Sequence, residues 1–370
     1  MQFVKADSLK IGMRLARPIY NKNGVLLFER DSKLTEQGIS SIRNFGLIGI
    51  FILEPAEPVP PMTPMDIEFE RFQTMYVFNI KEELTKIIQK RKKDRLNFIS
   101  DNIIKSYGHL QKKINFPQNL RSREDYVYKH SLNVAMLSAM MANVMKLKRE
   151  DQLTAVYAAI CHDMGKLMVP KQIMESPQWD PSDIEANRDY EVGAFQYLDD
   201  IFSTEPSVRR ACMQAQRLQE NFRNGKQGTG AEKLIPQTRI LLVADFFDTM
   251  TAMNLEKKPE SEVKTVRFML ENPDAFDSDA VDALIASINI LTPGVSVELN
   301  TGEKALVLTE NTDNILRPMV LSFADNQIID LNNELVYGDL EITDIMKTLD
   351  NRYIFDPETL RKSGFKMEDE

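Results

Sequence analysis

His162 and Asp163 stand side by side at the end of an apolar run, Ala158-Ala159-Ile160-Cys161, and Met164-Gly165-Lys166 follows at once. An imidazole and a carboxylate from one backbone turn offer a divalent metal two ligands, and a lysine three residues on can hold a phosphate. Upstream, His130 falls near the start of a second apolar-striped segment. Downstream, Asp245 follows Leu241-Leu242-Val243-Ala244 on a third. Chain position alone does not bring these four together. Each lies at the edge of an apolar stripe that must face a common core, and a carboxylate buried there needs a metal, a lysine or solvent to compensate it. The bland alternative makes His130 a satisfied core histidine and Asp245 a helix-packing carboxylate bonded to backbone or to Lys166. Asp248, one turn beyond Asp245 on the same helix face, is a candidate for orienting a ligand from behind, or equally a cap or surface pair.

Three blocks carry a family resemblance: His130-Ser131-Leu132-Asn133-Val134-Ala135, the stretch from Ala158 to Pro170 around His162-Asp163, and Arg239-Ile240-Leu241-Leu242-Val243-Ala244-Asp245-Phe246-Phe247-Asp248. Their His, His-Asp, Asp order resembles the HD superfamily of metal-dependent phosphohydrolases. The blocks look most like its HD-GYP branch, which is known for hydrolysing the bacterial second messenger cyclic di-GMP with two or three metals. The resemblance spans roughly residues 120–290. It implies a mainly α fold with an HD-type helical bundle, and metal ligands at His130, His162, Asp163 and Asp245. In the implied chemistry the metal activates a water and polarises a phosphoryl oxygen while Lys166 neutralises phosphate charge, so Lys166 and Asp163 are the residues expected to act in catalysis.

The chain departs from that branch in its middle. It has three histidines, His109, His130 and His162, so none follows residue 162, where the branch draws further ligands. Asp189, four residues before Gly193, stands where the family places a histidine and is a candidate substitute oxygen ligand. The paired histidines are replaced within Gln216-Arg217-Leu218-Gln219-Glu220, and the Gly-Tyr-Pro signature is reduced to Gly228-Thr229-Gly230. Tyr126, four residues before His130, takes the place of an expected bridging acid. The expected cofactor is therefore one divalent ion at most, iron, manganese or zinc, or none at all. Two functions remain open. One is a signalling phosphodiesterase of weak activity on a cyclic dinucleotide or another nucleotide. The other is a non-catalytic module that binds a nucleotide or a signalling protein partner.

Composition narrows the setting. A net charge of −9 argues against nonspecific binding to nucleic-acid polymers, while a metal can still draw a small phosphorylated ligand. No run of 18 apolar residues occurs and residues 1–7 lack a signal-peptide layout, so a cytoplasmic protein that does not enter membranes is expected. The two cysteines, Cys161 and Cys212, fall inside expected helices and suit a reducing compartment. His109 has no ligand partner at helical spacing. Gly225, Lys226, Gly228 and Gly230 make a loop that could cradle a phosphate, though a plain surface loop is commoner.

The elements that must position these residues are legible as periodicities. Residues 1–54 read as a small α/β module, with a strand at Val25–Phe28, a helix at Thr35–Phe45 ended by Gly46, and a strand at Leu47–Leu53. Prolines 55, 58, 60, 61 and 64 form a stiff linker over 55–64. The helical domain is expected over 65–290. It begins with a long amphipathic helix broken near Lys90-Arg91-Lys92-Lys93, whose charges read as a solvated face. Ser122 and Asp125 read as a near capping box for the helix carrying His130, a second helix runs from Asp151 to an end at Gly165, and more follow at 181–201, 205–223, 237–253, 260–271 and 277–288. After Pro293-Gly294 the period shifts toward two, predicting short strands at 295–299, 305–308 and 318–323 in a β-rich segment over 291–370, with a frayed tail beyond Phe355.

Overall fold

The long first helix of the helical domain begins where proline is tolerated. Pro64 occupies its first turn, and Thr63 and Asp66 cap each other reciprocally, with Thr63 Oγ1 accepting from Asp66 N at 3.1 Å and Asp66 accepting from Thr63 N at 2.9 Å. In the computed structural model this helix, α2 (Pro64–Lys90), ends at Arg91 in the left-handed conformation (φ 51°), and α3 (Leu96–Tyr107) follows. The structure describes residues 2–45, 47, 49–53, 62–118, 121–122, 124–170, 173, 181–223, 233–253 and 259–350.

The N-terminal module holds β1 (Gln2–Lys5), β2 (Ile19–Tyr20), β3 (Leu26–Phe28), α1 (Glu36–Asn44) and β4 (Gly49–Ile52). β1 pairs antiparallel with β4 and β2 with β3, and a small separate core of Leu15, Leu34, Ile42 and their neighbours lies beneath them. Thr35 caps α1 through Gly38 N. Gly46 and most of the proline linker lie outside the described residues.

α4 (Tyr126–Val144) and α5 (Arg149–Cys161) form the centre of the bundle, surrounded by α6 (Pro181–Ile201), α7 (Pro206–Arg223), α8 (Pro236–Thr251), α9 (Glu262–Glu271) and α10 (Ser278–Ser287). α4 is buried nearly all round, from Val127 through Ala142, as expected of a helix with neighbours on every side. The mainly helical architecture is the one the sequence implies. Two local details differ. Ser122 and Asp125 do bond reciprocally, but in the turn before α4, whose first residue is Tyr126. Gly165 does not end α5: the helix stops at Cys161 and a 3₁₀ turn, Met164–Met168, runs through the glycine. A Cβ at Gly165 would lie 2.5 Å from Glu191 Cα, so the glycine is there to let α6 approach.

At the C-terminal end, β5 (Val295–Leu299), β6 (Lys304–Thr309), β7 (Met319–Ser322), β8 (Ile328–Asp330) and β9 (Ile342–Asp350) form an antiparallel sheet in the order β8-β7-β6-β5-β9. β8 and β9 go beyond the strands expected from alternation. Val297, Leu299, Val307 and Val320 belong to the same hydrophobic cluster as the helices, so this sheet shares the bundle's core. The tail beyond Phe355 lies outside the described residues. Among the described residues no helix is long and apolar enough to cross a membrane.

Candidate metal centre

Three helices deliver the site. His130 comes from the first turns of α4, His162 caps the C-terminus of α5 with Asp163 just behind it, and Asp245 lies mid-way along α8. His130 Nε2 lies 3.0 Å from Asp245 Oδ1 and 3.2 Å from His162 Nε2, and the second imidazole is 3.8 Å from the same carboxylate oxygen. The two nitrogens and one oxygen lie within 4.8 Å of one another. Asp163 stands at the edge of this group, 3.6 Å from His130 and 3.7 Å from His162. Its carboxylate accepts a 2.6 Å hydrogen bond from Lys166. Lys166 is thus an ion-pair partner of Asp163 and also lines the cleft beside the site. Asp189, the candidate substitute ligand, is exposed on α6 and is not in the group. His109 is likewise exposed and apart from it. The Gly225 to Gly230 loop lies outside the described residues.

Both imidazoles are fixed from behind. His130 Nδ1 donates to Asp248 Oδ2 at 2.6 Å, and His162 Nδ1 to the carbonyl of Ala159 at 2.8 Å. An acceptor-only partner at each Nδ1 places the proton there and turns each Nε2 inward. Two inward Nε2 lone pairs at 3.2 Å repel unless a proton or a cation lies between them. Burial opposes charge on His130, but its hydrogen bonds to the Asp245 and Asp248 carboxylates outweigh this and raise its pKa to about 10.

The carboxylates are held ionised by the expected lysine and histidines and also by Arg121, Gln118, Asn133 and Gln219, which chain position did not reveal. Asp248, wholly buried, receives both Nη atoms of the equally buried Arg121 at 2.6 Å, and further hydrogen bonds from Gln118 (3.2 Å) and Asn133 (2.9 Å). Burial disfavours its charge, yet the Arg121 guanidinium and His130 keep its pKa well below the ordinary carboxylate range. Asp163 is depressed likewise, chiefly by Lys166 and then by the two histidines. Asp245 is lowered by its bond to His130 and the charge of His162. It also accepts from Thr249 (3.2 Å) on one oxygen and from Gln219 on the other. Tyr126 stacks on His130 with ring centroids 5.4 Å apart. Asn133, one turn after His130, was open to a periodicity argument. Gln118 and Arg121 precede α4 in irregular chain and left no such signal. Gln219 falls inside the segment where paired histidines are missing.

The donor set suits a metal. Two imidazole nitrogens and a carboxylate, each ligand backed by a hydrogen bond and the carboxylate of Asp245 lining a cleft, match the borderline divalent ions iron, manganese and zinc.

The helical bundle thus presents histidine and aspartate from three helices to one point, a candidate metal site. The HD domain family model matches residues 115–280, which include every ligand candidate and Asp248. The chain is similar to a cyclic di-GMP phosphodiesterase of Pseudomonas aeruginosa, 27% identical over 212 residues that make up 55% of this chain and 49% of that protein. It is similar as well to a 3′3′-cGAMP-specific phosphodiesterase of Vibrio cholerae, 25% identical over 48% of this chain and 38% of that protein. A cyclic di-GMP phosphodiesterase of Borreliella burgdorferi is 22% identical over 55% of this chain and 54% of its own. The matched segments span about half the length of these relatives, or less.

Proposed function

We propose that the chain is a signalling phosphodiesterase of the HD superfamily that holds one divalent metal and cleaves a cyclic dinucleotide, cyclic di-GMP or a close analogue, slowly. The observation that carries this is the convergence of His130 Nε2, His162 Nε2 and Asp245 Oδ1, with both imidazoles oriented from behind. The names of the three relatives support the substrate class. A bound divalent ion at these residues and Asp163 supplies Lewis acidity, acidifying water and drawing charge from a phosphoryl oxygen. The chain's own groups do the rest. Asp248, anchored by Arg121, fixes the His130 ring, and Gln219 with Thr249 fixes the Asp245 carboxylate. Lys166 carries three N–H donors, so a phosphate in the cleft can share its ammonium with Asp163. Slow turnover follows from one metal, because a second ion would clamp the leaving oxygen. His130, His162 and Asp245 are the one such group among the described residues.

A second reading has its own observation. Lys166 on Asp163 and Gln219 on Asp245 already satisfy the two carboxylates, as in a module that binds nucleotide or a protein partner without catalysis. Single-turnover assays with radiolabelled cyclic di-GMP and manganese separate them. Slow, metal-dependent cleavage is expected. Turnover of about 1 per second or faster, within the usual range of enzymes, excludes the single-metal account, and binding with no cleavage by any of the three metals selects the second reading.

A further inference from the structure

Arg17 belongs to the N-terminal module, just before β2, yet its guanidinium reaches out of that module. Its Cζ lies 4.6 Å from the ring centroid of Phe51 on β4, its Nε is 3.3 Å from Glu70 Oε1 on α2, and its Nη1 donates to the main-chain carbonyl of Gln118 at 3.5 Å. The Arg17 and Glu70 side chains keep only 18% and 10% of their surface, so the pair is largely withdrawn from water. Burial pushes the Glu70 carboxyl up, and the Arg17 charge opposes the rise. A planar fork with fixed donors holds partners on different elements at set separations. Arg71 Nε adds a bond from α2 to the carbonyl of Gly24, in the turn between β2 and β3, at 3.1 Å, so the module is seated on α2 at two points.

Gln118 is where this grip meets the candidate metal centre. It lies in no helix or strand, and among the described residues Arg17 is the partner of its carbonyl. Its carboxamide is fully engaged: Nε2 donates to Asp248 Oδ1 (3.2 Å) and Thr251 Oγ1 (3.0 Å), and Oε1 accepts from Arg121 and Asn133, both at 3.1 Å. Asp248 in turn accepts from His130 Nδ1. A second connection starts one helical turn from Glu70: Gln73 Nε2 donates to Asn133 Oδ1, and Asn133 Nδ2 to Asp248 Oδ1, both at 2.9 Å. Gln73, Asn133 and Asp248 are buried, so water does not replace a bond that is pulled apart. A displaced group in such a network leaves a buried donor or acceptor unmet, which is costly enough to be felt at the ligand.

We propose that Arg17 is a positioning residue through which the N-terminal module holds His130, by way of Gln118 and Asp248, so that a change in the module's seat on α2 changes metal affinity. In its effect on metal this rests on the phosphohydrolase reading above; in its effect on the His130 ring it does not. Two measurements on the full chain test it. Zinc affinity, read by competition with a chelator, should fall about three- to tenfold in Arg17→Met, less than the about 10 to 100-fold expected when a group bonded to the ligand itself is lost. In the metal-free protein the His130 Nδ1 proton, followed by imidazole ¹⁵N–¹H NMR, should exchange with water several times faster in Arg17→Met, while that of His162, bonded to the Ala159 carbonyl outside this network, should not change. Arg17→Met strands the buried Glu70, so Arg17→Met with Glu70→Leu is measured beside it; apolar replacement of both partners is often neutral for stability, and both effects should persist. In a Gln118→Met background Arg17→Met should add nothing to either effect. Zinc affinity within about twofold of wild type in both Arg17 variants, an unchanged His130 proton, equal acceleration at His162, or an undiminished loss in the Gln118→Met background overturns the proposal. Wild-type protein that takes up no zinc, manganese or iron sinks the metal reading instead, and selective acceleration at His130 would still establish Arg17 as the residue that holds the ring.

Discussion

Replacing Asp248 by Asn removes one negative charge and almost no volume from a wholly buried ion pair. Arg121 would then face a neutral amide with its own side chain fully buried, and breaking a buried pair from one side costs about 3–5 kcal/mol. Against a typical domain stability of about 5–15 kcal/mol, this is a large fraction. The same substitution takes the carboxylate from His130 Nδ1, and losing such a supporting group typically lowers metal affinity by about 10 to 100-fold. The two effects separate in a double variant, Arg121→Met with Asp248→Leu. Apolar replacement of both partners of a buried pair is often neutral or stabilising, so stability should return close to wild type while metal affinity stays low. Urea unfolding of the metal-free proteins reads the first quantity and competition with a chelator reads the second. If Asp248→Asn unfolds within about 0.5 kcal/mol of wild type, or if the double variant recovers wild-type metal affinity, Asp248 does not hold His130 as the geometry requires.

Lys166→Met keeps the aliphatic stem that lines the cleft. Hydrolysis of a phosphodiester should fall by about tenfold or more with metal content unchanged, and early melting with hydrolysis intact would make Lys166 only a counter-charge for Asp163. The metal-free protein should lose stability at both pH extremes. His130, raised from its ordinary 6.5 to about 10, stabilises the fold fully below pH 6.5, and this contribution disappears as pH rises through about 10. Asp163 and Asp248, held below the ordinary carboxylate value, stabilise above that value and lose their contribution as pH falls beneath it. Urea midpoints measured across pH should show the alkaline limb in wild type and not in His130→Gln, and parallel curves would contradict the assignment.

Periodicity carried the helices because each buries one face or, for α4, all of them, and those patterns persist over ten or more residues. β8 escaped notice because three residues are too short for an alternation, and β9 because Ile342, Ile345, Met346 and Leu349 do not alternate with polar residues along its nine positions. Gly165 shows how a local rule can misassign a residue. Glycine after a helix suggests a terminator, but the cause here is the backbone of Glu191, 26 residues further along the chain, which only the fold brings close. At the site, the residue types and order of His130, His162, Asp163 and Asp245 were visible, and so was Asp248 one turn from a ligand. Arg121 and Gln118 were not, since a buried guanidinium reads as an ordinary surface arginine until its partner's position is known. Asp189 looked plausible by alignment of spacing, yet its exposed place on α6 keeps it from the ligand group.

The most direct test of the central claim is metal stoichiometry. Purified full chain, stripped and reconstituted in turn with iron, manganese and zinc, then assayed by elemental analysis, should retain close to one equivalent of at least one of these ions, and Asp163→Ala and His130→Gln should lose it. Two or more equivalents per chain, or none with any of the three ions, would contradict a single metal at His130, His162, Asp163 and Asp245.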